Sequence, residues 1–381
     1  MAGAELDQRR ELLLHLYRAA LSAVDGRRRV RAALASGRDE RPVSILAVGK
    51  AASAMAEGAL DVLGAGVQRV LVVAPADGID HELLALPQVR CVAGDHPVPG
   101  ERSLAAGREA MDFAAATPAG SRVLLLVSGG ASSLLEVLAP GVTLEKLQRL
   151  NEWAHAEAVD ILTLNERRGS LSLVKAGRMP ALFRHCAVEG LMISDVPGDD
   201  PAAVGSGLLA GVDPVALVGC LDDALEAALR AARARGIDAV RATKRLAGEA
   251  AAAARDVCHE FAIGARSLEL WGGETVVRLP ARPGRGGRCQ HFALSAAQQI
   301  AGHPELVILA AGTDGRDGAS EDAGAIVDGG TLARAREAGF DAAACLEAAD
   351  SGSLLEAAGD LLYTGPTGTN VGDLVMALRL R

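Results

Sequence analysis

The chain has 381 residues, too many for one ordinary hydrophobic core, so two domains are expected. Hydrophobic residues make up 50% of it but aromatics only 2%, so Ala, Leu and Val must fill the core, which excludes a disordered chain and favours helices packed on sheets. With 39 Lys and Arg against 48 Asp and Glu, the formal net charge of -9 argues against a general nucleic-acid binder, though not against a local basic cluster that holds a small anion.

The N-terminal stretch MAGAELDQRRELLLHLYRAAL carries charge throughout and lacks the apolar centre of a signal peptide. It reads as an amphipathic helix with Leu12, Leu13, Leu16 and Tyr17 on one face. Strands are expected at SILAVG, VLVVA, VRCVAG, VLLLV and AVEGLMIS, with helices such as SLAAGREAMDFAAA and TLEKLQRLNEWAHAEAVDIL between them. Alternation of this kind implies a doubly wound, mostly parallel α/β sheet, with ligands at the carboxyl ends of the strands. A helical region is expected from Asp213 to Phe261, and after it SLELWGG, ETVVRLP and LVILAAG alternate with Gly-rich loops as a second, smaller α/β domain. The boundary is set near residue 240, giving domains 1–240 and 241–381. Six cysteines include no C-x-x-C pair, so reduced thiols in a cytoplasmic protein are expected rather than a disulfide framework or a zinc site. No apolar run approaches the roughly 18 residues of a membrane span.

The loops that follow the strands carry the chemistry. SILAVGK places Lys50 directly after a strand and before the helical AASAMAEGAL, where a compact positive charge can meet a ligand. VLLLVSGGASSLL ends a buried strand in Ser128, Gly129 and Gly130 and resumes with Ser132 and Ser133 at a helix start. Backbone N–H groups and hydroxyls at such a junction suit a phosphate or a carboxylate, and the same pattern also fits a plain strand-to-helix turn. AGDHPVPGERSL offers His96 as a base or as an organiser of the turn. In MISDVPGDDP, Asp195 follows another strand and suits Mg²⁺, although Asp is also a common turn residue.

NERRGSLSLVKAGR has helical character and holds Asn165, Arg168 and Lys175, the last two spaced to share one helical face. GRGGR sets Arg285 and Arg288 among glycines before the helical CQHFALSAAQQI, an arrangement suited to a mobile loop that grips phosphate bidentately. Thr313, Asp314 and Asp317 in GTDGRDG, and Thr367 and Asn370 in TGPTGTNVGDL, can hydrogen-bond a polyol or a nucleotide. Neither loop has EF-hand spacing, and no G-x-G-x-x-G or G-x-S-x-G motif is present.

In order and spacing, AVGKAA, GDHPVP, LLLVSGGASSLL, SDVPGDDP, GRGGR-C-Q, GTDGRDG and TGPTGTNVGDL resemble the glycerate 2-kinase family, whose C-terminal part is the MOFRL domain. The resemblance implies ATP- and Mg²⁺-dependent phosphorylation of D-glycerate at its 2-hydroxyl, in a cleft between a Rossmann-like domain and a MOFRL-type domain. It matches Lys50 and Arg288 to the family's two proposed catalytic residues, and Ser128, Gly129 and Gly130 to its phosphate- or substrate-binding loop. On this reading Ser132, Ser133, Asn165, Arg168, Lys175, Arg285, Thr313, Asp317, Thr367 and Asn370 contribute to binding, and Asp195 or Asp314 holds the metal. Cys289 departs from the family pattern, which has Asn there, and Gly169 and Ser170 replace residues that are often basic and His. The expected partners are small molecules, with no nucleic acid or membrane, and a homodimer is left open. Hydroxypyruvate reductase and a non-catalytic phosphosugar-binding regulator are the competing readings.

Overall fold

The computed structural model describes residues 2–35, 41–156, 161–264 and 266–379. It divides into two compact units. The first comprises Val24–Cys220 with Gly368–Val371, and the second comprises Met1–Ala23, Leu221–Thr367 and Gly372–Arg381.

The first unit holds β1 (Val43–Val48), β2 (Val67–Ala74), β3 (Val89–Ala93), β4 (Arg122–Val127), β5 (Ala187–Ile193) and β6 (Val215–Gly219). They pair in parallel in the order β3-β2-β1-β4-β5-β6. Every residue of β1 and β4 is buried, which explains why both read as unbroken apolar runs. The order reverses between these two strands, so their carboxyl ends form the topological switch point. The first five strands lie where the sequence predicts them. The sixth corrects the reading of 213–261 as helical: β6, the short apolar run VALVG, is an edge strand with three of its five residues at least partly exposed, and a run that short does not by itself tell a strand from a helix segment. The predicted helix at 143–162 is observed as Leu144–Ala156, and residues 157–160 lie outside the described residues.

The second unit holds β7 (Ala239–Arg241), β8 (Leu268–Gly273), β9 (Leu306–Gly312), β10 (Gly324–Asp328), β11 (Leu361–Leu362) and β12 (Asp373–Arg379). Their order is β11-β10-β9-β12-β8-β7, antiparallel except for the β7–β8 pair. Asp373 opens β12 opposite Gly312 and Gly273, the last residues of β9 and β8, so three strand ends meet there. ETVVRLP is not a strand. Val276 makes only an isolated bridge to Glu249 and is half exposed.

The boundary expected near residue 240 falls instead at Cys220 and Leu221, and the N-terminal helix Ala2–Ala23 joins the second unit. The physical reason is burial. Helix Leu221–Arg233 packs Leu221, Ala224, Leu225, Ala228 and Leu229 inward and lies against β7 and β8. Against that helix lies the N-terminal helix, with Leu13, Leu16 and Tyr17 fully buried. Arg10 fastens it: its guanidinium pairs with the buried Asp328 at 3.0 Å and with Asp360 at 2.9 Å, both of which also bind Arg334. Replacing Arg10 by Ala leaves two buried carboxylates with one cation between them. The expected loss is about 1.5–3 kcal/mol of unfolding free energy, read as a lower Tm, because hydrogen bonds to charged groups carry that much. An unchanged Tm would show that Arg334 alone satisfies both acids.

Candidate active site

In the first unit the loops leaving β1 and β4 are stitched together at the switch point. Ser128 N–H donates to Val48 O at 3.0 Å, and Lys50 N–H donates to Gly129 O at 2.9 Å. The Ser128 hydroxyl, fully buried, accepts from Ala51 N–H at 3.0 Å. Lys50 is therefore held at its backbone, with its side chain half-buried at the strand end.

Two glycines make the site possible. A Cβ on Gly129 would lie 2.0 Å from Asp195 Oδ2 and 2.2 Å from Asn370 Nδ2, so those side chains rest directly on the backbone. Gly130 has φ +82°, and a Cβ there would crowd Lys50 Cγ at 3.1 Å and His96 Cδ2 at 3.2 Å. Asn370 Nδ2 donates to Asp195 Oδ2 at 3.0 Å, across 175 residues of sequence. Lys50, Ser128, Gly129, Gly130, His96, Asp195 and Asn370 are thus gathered around one loop.

The helix expected after this loop is a single turn, Ala131–Leu134, so little aligned dipole stands behind the loop. Its serines work inward. Ser133 Oγ donates to Gly130 O at 3.1 Å, and Ser132 Oγ lies 2.8 Å from Ser206 Oγ, which donates to Asn165 Oδ1 at 2.9 Å. Asn165 Nδ2 donates to Ala203 O at 3.0 Å. Ser132, Ser206 and Asn165 thus brace the loop from behind.

The helical face expected for Arg168 and Lys175 does not form. The helix Ile161–Leu171 ends before Lys175, which lies in a turn. Lys175 is fully buried, and its ammonium donates to the equally buried Glu136 at 2.5 Å, which removes it from the binding set. Burial pulls its pKa down while Glu136 holds it up. Arg168 Nε donates to Asn151 Oδ1 at 2.9 Å, and burial lowers its pKa to about 10.

In the second unit Arg288 is the first residue of the helix Arg288–Gln299. Its Nε donates to Asp373 Oδ2 at 2.6 Å and its Nη2 to Asp373 Oδ1 at 3.0 Å, while Nη1 pairs with Glu274. Burial opposes its charge, yet Asp373 and Glu274 outweigh burial and raise its pKa above the ordinary arginine value. Asp373 and Glu274 are the partners that sequence reasoning missed. Asp373 is 85 residues away, and its only local signal is an acid at the start of an apolar run.

The GRGGR loop, expected to be mobile, is anchored. Arg285 N–H donates to Asp350 at 2.8 Å, and its side chain pairs with Asp322 at 3.0 Å and with Glu356. Thr313 is buried, its hydroxyl donating to Gly372 O at 2.7 Å, and the Thr367 hydroxyl donates to Thr313 O. Asp314 is half-buried and accepts from Arg316 N–H at 3.1 Å. Cys289, in place of the expected Asn, is buried, and burial followed by Asp373 and Asp317 pushes its thiol pKa up, so it stays neutral.

Asp317 serves as a helix cap. Its oxygens accept from Cys289 N–H at 3.0 Å and Gln290 N–H at 2.7 Å, at the helix end that carries Arg288. Burial pushes its pKa up to about 7, against the pull of those two N–H groups. A carboxyl that titrates higher in the folded than in the unfolded chain weakens the fold as pH rises from about 4 to about 7. Wild type should therefore lose stability relative to Asp317→Asn over that window, by a few kcal/mol at most, and the gap should stay flat above it. Parallel Tm–pH curves for the two proteins would contradict this.

Among the described residues no group of three or more His, Cys, Asp or Glu is arranged to hold a metal ion, and no helix is long and apolar enough to cross a membrane. Comparison with known proteins places the chain. The family model described as a domain of unknown function, DUF4147, matches residues 12–235, and the MOFRL family model matches residues 267–373. D-glycerate 2-kinase of Thermotoga maritima is 32% identical over 97% of this chain and 98% of its own length. A protein of Agrobacterium vitis that carries the name hydroxypyruvate reductase is 33% identical over 87% of this chain and 97% of its own. The crystal structure of glycerate kinase from Thermotoga maritima superposes with a TM-score of 0.83 at 30% identity, covering 98% of this chain and 100% of that one. With both of its family models matched in order and its relatives aligned end to end, the chain belongs to the glycerate 2-kinase family, a DUF4147 domain followed by a MOFRL domain.

Proposed function

We propose that this protein transfers the γ-phosphoryl group of ATP to the 2-hydroxyl of D-glycerate, giving 2-phosphoglycerate and ADP. The observation that carries the reading is Lys50 at the switch point, beside a loop on whose Gly129 backbone Asp195 and Asn370 rest. The name and full-length similarity of the Thermotoga maritima relative support the choice of acceptor.

Phosphoryl transfer asks little covalent chemistry of a protein and much positioning and charge stabilisation. Lys50 supplies a point charge and Arg288 a planar donor array to the phosphoryl oxygens. The glycerate carboxylate binds at the Gly129–Gly130 turn, since the Ser128 N–H is already given to Val48 O. On this reading His96, whose ring lies against Gly130, accepts the hydroxyl proton. Mg²⁺ fits this site as an ion carried on the nucleotide phosphates, since it takes one or two carboxylates and keeps its remaining oxygens from phosphate and water. The half-buried Asp195 or Asp314 would hold it, and it would neutralise charge on the phosphates.

The strand order β3-β2-β1-β4-β5-β6 is also that of dinucleotide-binding folds, which favours the reductase name carried by some relatives. Against it, the turn after β1 reads V-G-K-A-A, with Ala51 where the second glycine of G-x-G-x-x-G brings bare backbone to a pyrophosphate.

A coupled assay with ATP, Mg²⁺, D-glycerate and enolase should register turnover, because enolase consumes 2-phosphoglycerate and not the 3-isomer. Lys50→Ala and Arg288→Ala should each lower kcat by about 10²-fold or more, the loss expected for one well-aimed charge. Gly129→Ala, whose new methyl must displace Asp195 and Asn370, should cost about 10²-fold through misplacement alone. NADH oxidation with hydroxypyruvate and no glycerate-dependent ATP turnover would replace this reading with the reductase.

A further inference from the structure

Arg288 has two carboxylate partners that differ in every physical respect. Asp373 is 5% exposed at its side chain, stands on β12 in the centre of the second unit's sheet, and grips Nε and Nη2 together. Glu274 is 54% exposed, follows the end of β8, and touches Nη1 alone. A buried bidentate acid fixes the plane of a guanidinium. An exposed monodentate one is weak and readily exchanged for solvent or another anion.

A guanidinium has five N–H donors, and three are taken by these contacts, leaving one on each terminal nitrogen. Glu274 sits at Nη1, on the side of the guanidinium that Asp373 does not cover, and there it offers an oxyanion much as a phosphoryl group would. Displacing it would release the Nη1 N–H that Glu274 holds, so that an incoming phosphate meets Nη1 with no competing acid and can use it together with the free N–H on Nη2, as bidentate phosphate recognition does.

We propose that the two acids have opposite roles: Asp373 is a positioning residue that aims Arg288, and Glu274 is a displaceable stand-in for a nucleotide phosphoryl group. The proposal rests on the reading of Arg288 as a phosphoryl-binding residue. It makes Arg288 self-masked when no nucleotide is bound, so that an exposed cation does not collect stray anions.

The test is a set of ATP titrations at saturating D-glycerate and Mg²⁺, with melting curves for every variant. Glu274→Gln removes the competitor, so KM for ATP should fall about two- to fivefold, the range that an exposed ion pair supports. The difference should shrink as salt rises, since screening weakens exposed pairs first. Asp373→Asn leaves the charge of Arg288 available but unaimed, so kcat should fall about tenfold or more without a rise in KM for ATP. If Asp373→Asn does not fold, Asp373→Glu, which keeps the charge and lengthens the arm, should show the same loss of kcat.

A purely structural pair of acids would move Tm and leave unchanged both KM in Glu274→Gln and kcat in Asp373→Asn, and that result overturns the proposal. So does a rise of KM in Glu274→Gln. Should wild type show no glycerate-dependent ATP turnover, the functional reading fails by itself. The role of Glu274 is then decided by calorimetry with ADP, where Glu274→Gln must bind more tightly than wild type and equal affinity refutes it.

Discussion

The arrangement of the first unit depends on the hydrogen-bonded join between the turns that leave β1 and β4. Ser128 is at its centre: its N–H closes on Val48, its hydroxyl holds Ala51, and Gly129 O holds Lys50 N–H. Parallel strands alone bring their ends only to about 4.8 Å spacing. The join converts that proximity into a fixed relation between a lysine and a glycine loop 78 to 80 positions further along the chain. Asp195, two residues past the end of β5, and Asn370 then close over Gly129, where no side chain stands in the way.

Behind that loop lies a polar scaffold that no ligand needs to touch. Ser132, Ser206 and Asn165 form a chain of hydrogen bonds, and Lys175 and Glu136 form a dry ion pair. Removing one member of such a pair leaves a buried charge uncompensated, which is far costlier than the pair is helpful. The segment 128–136 is thereby held to one conformation. Preorganisation of this kind suits a site that must receive charged groups without rearranging its own dipoles.

Much of this was legible from the chain. The buried strands β1, β2, β4 and β5 announce themselves as apolar runs, and Lys50 and Ser128–Gly130 follow from being next to such runs. What escaped was decided by tertiary partners. Lys175 looks like a binding residue until Glu136, 39 positions away, is seen against it. Asp317 resembles a polyol-binding acid, yet it caps the first turn of a helix through Cys289 N–H, 28 residues earlier. Strand β10 hides among Gly and Asp residues, while ETVVRLP alternates like a strand and has no sheet to join beyond an isolated bridge. Spacing reports what one element can bury. It says nothing about which distant polar group will meet another.

The division of the chain has a bearing on how the protein is made. The helix Ala2–Ala23 is synthesised well before its partners: the surface that buries Leu13, Leu16 and Tyr17 begins at Leu221 and includes strands as late as β12. The first unit in turn receives Gly368–Val371 only after the long excursion of the chain from Leu221 to Thr367. At about 5–20 residues per second, an apolar helix stripe waits more than ten seconds for its partners, a period in which nascent chains invite chaperones or aggregation. Neither unit is a bead that can be cut off at one point. Removing the first 23 residues would strip the cover from the unit at the other end of the chain, and stopping short of residue 370 would leave Asp195 without its amide.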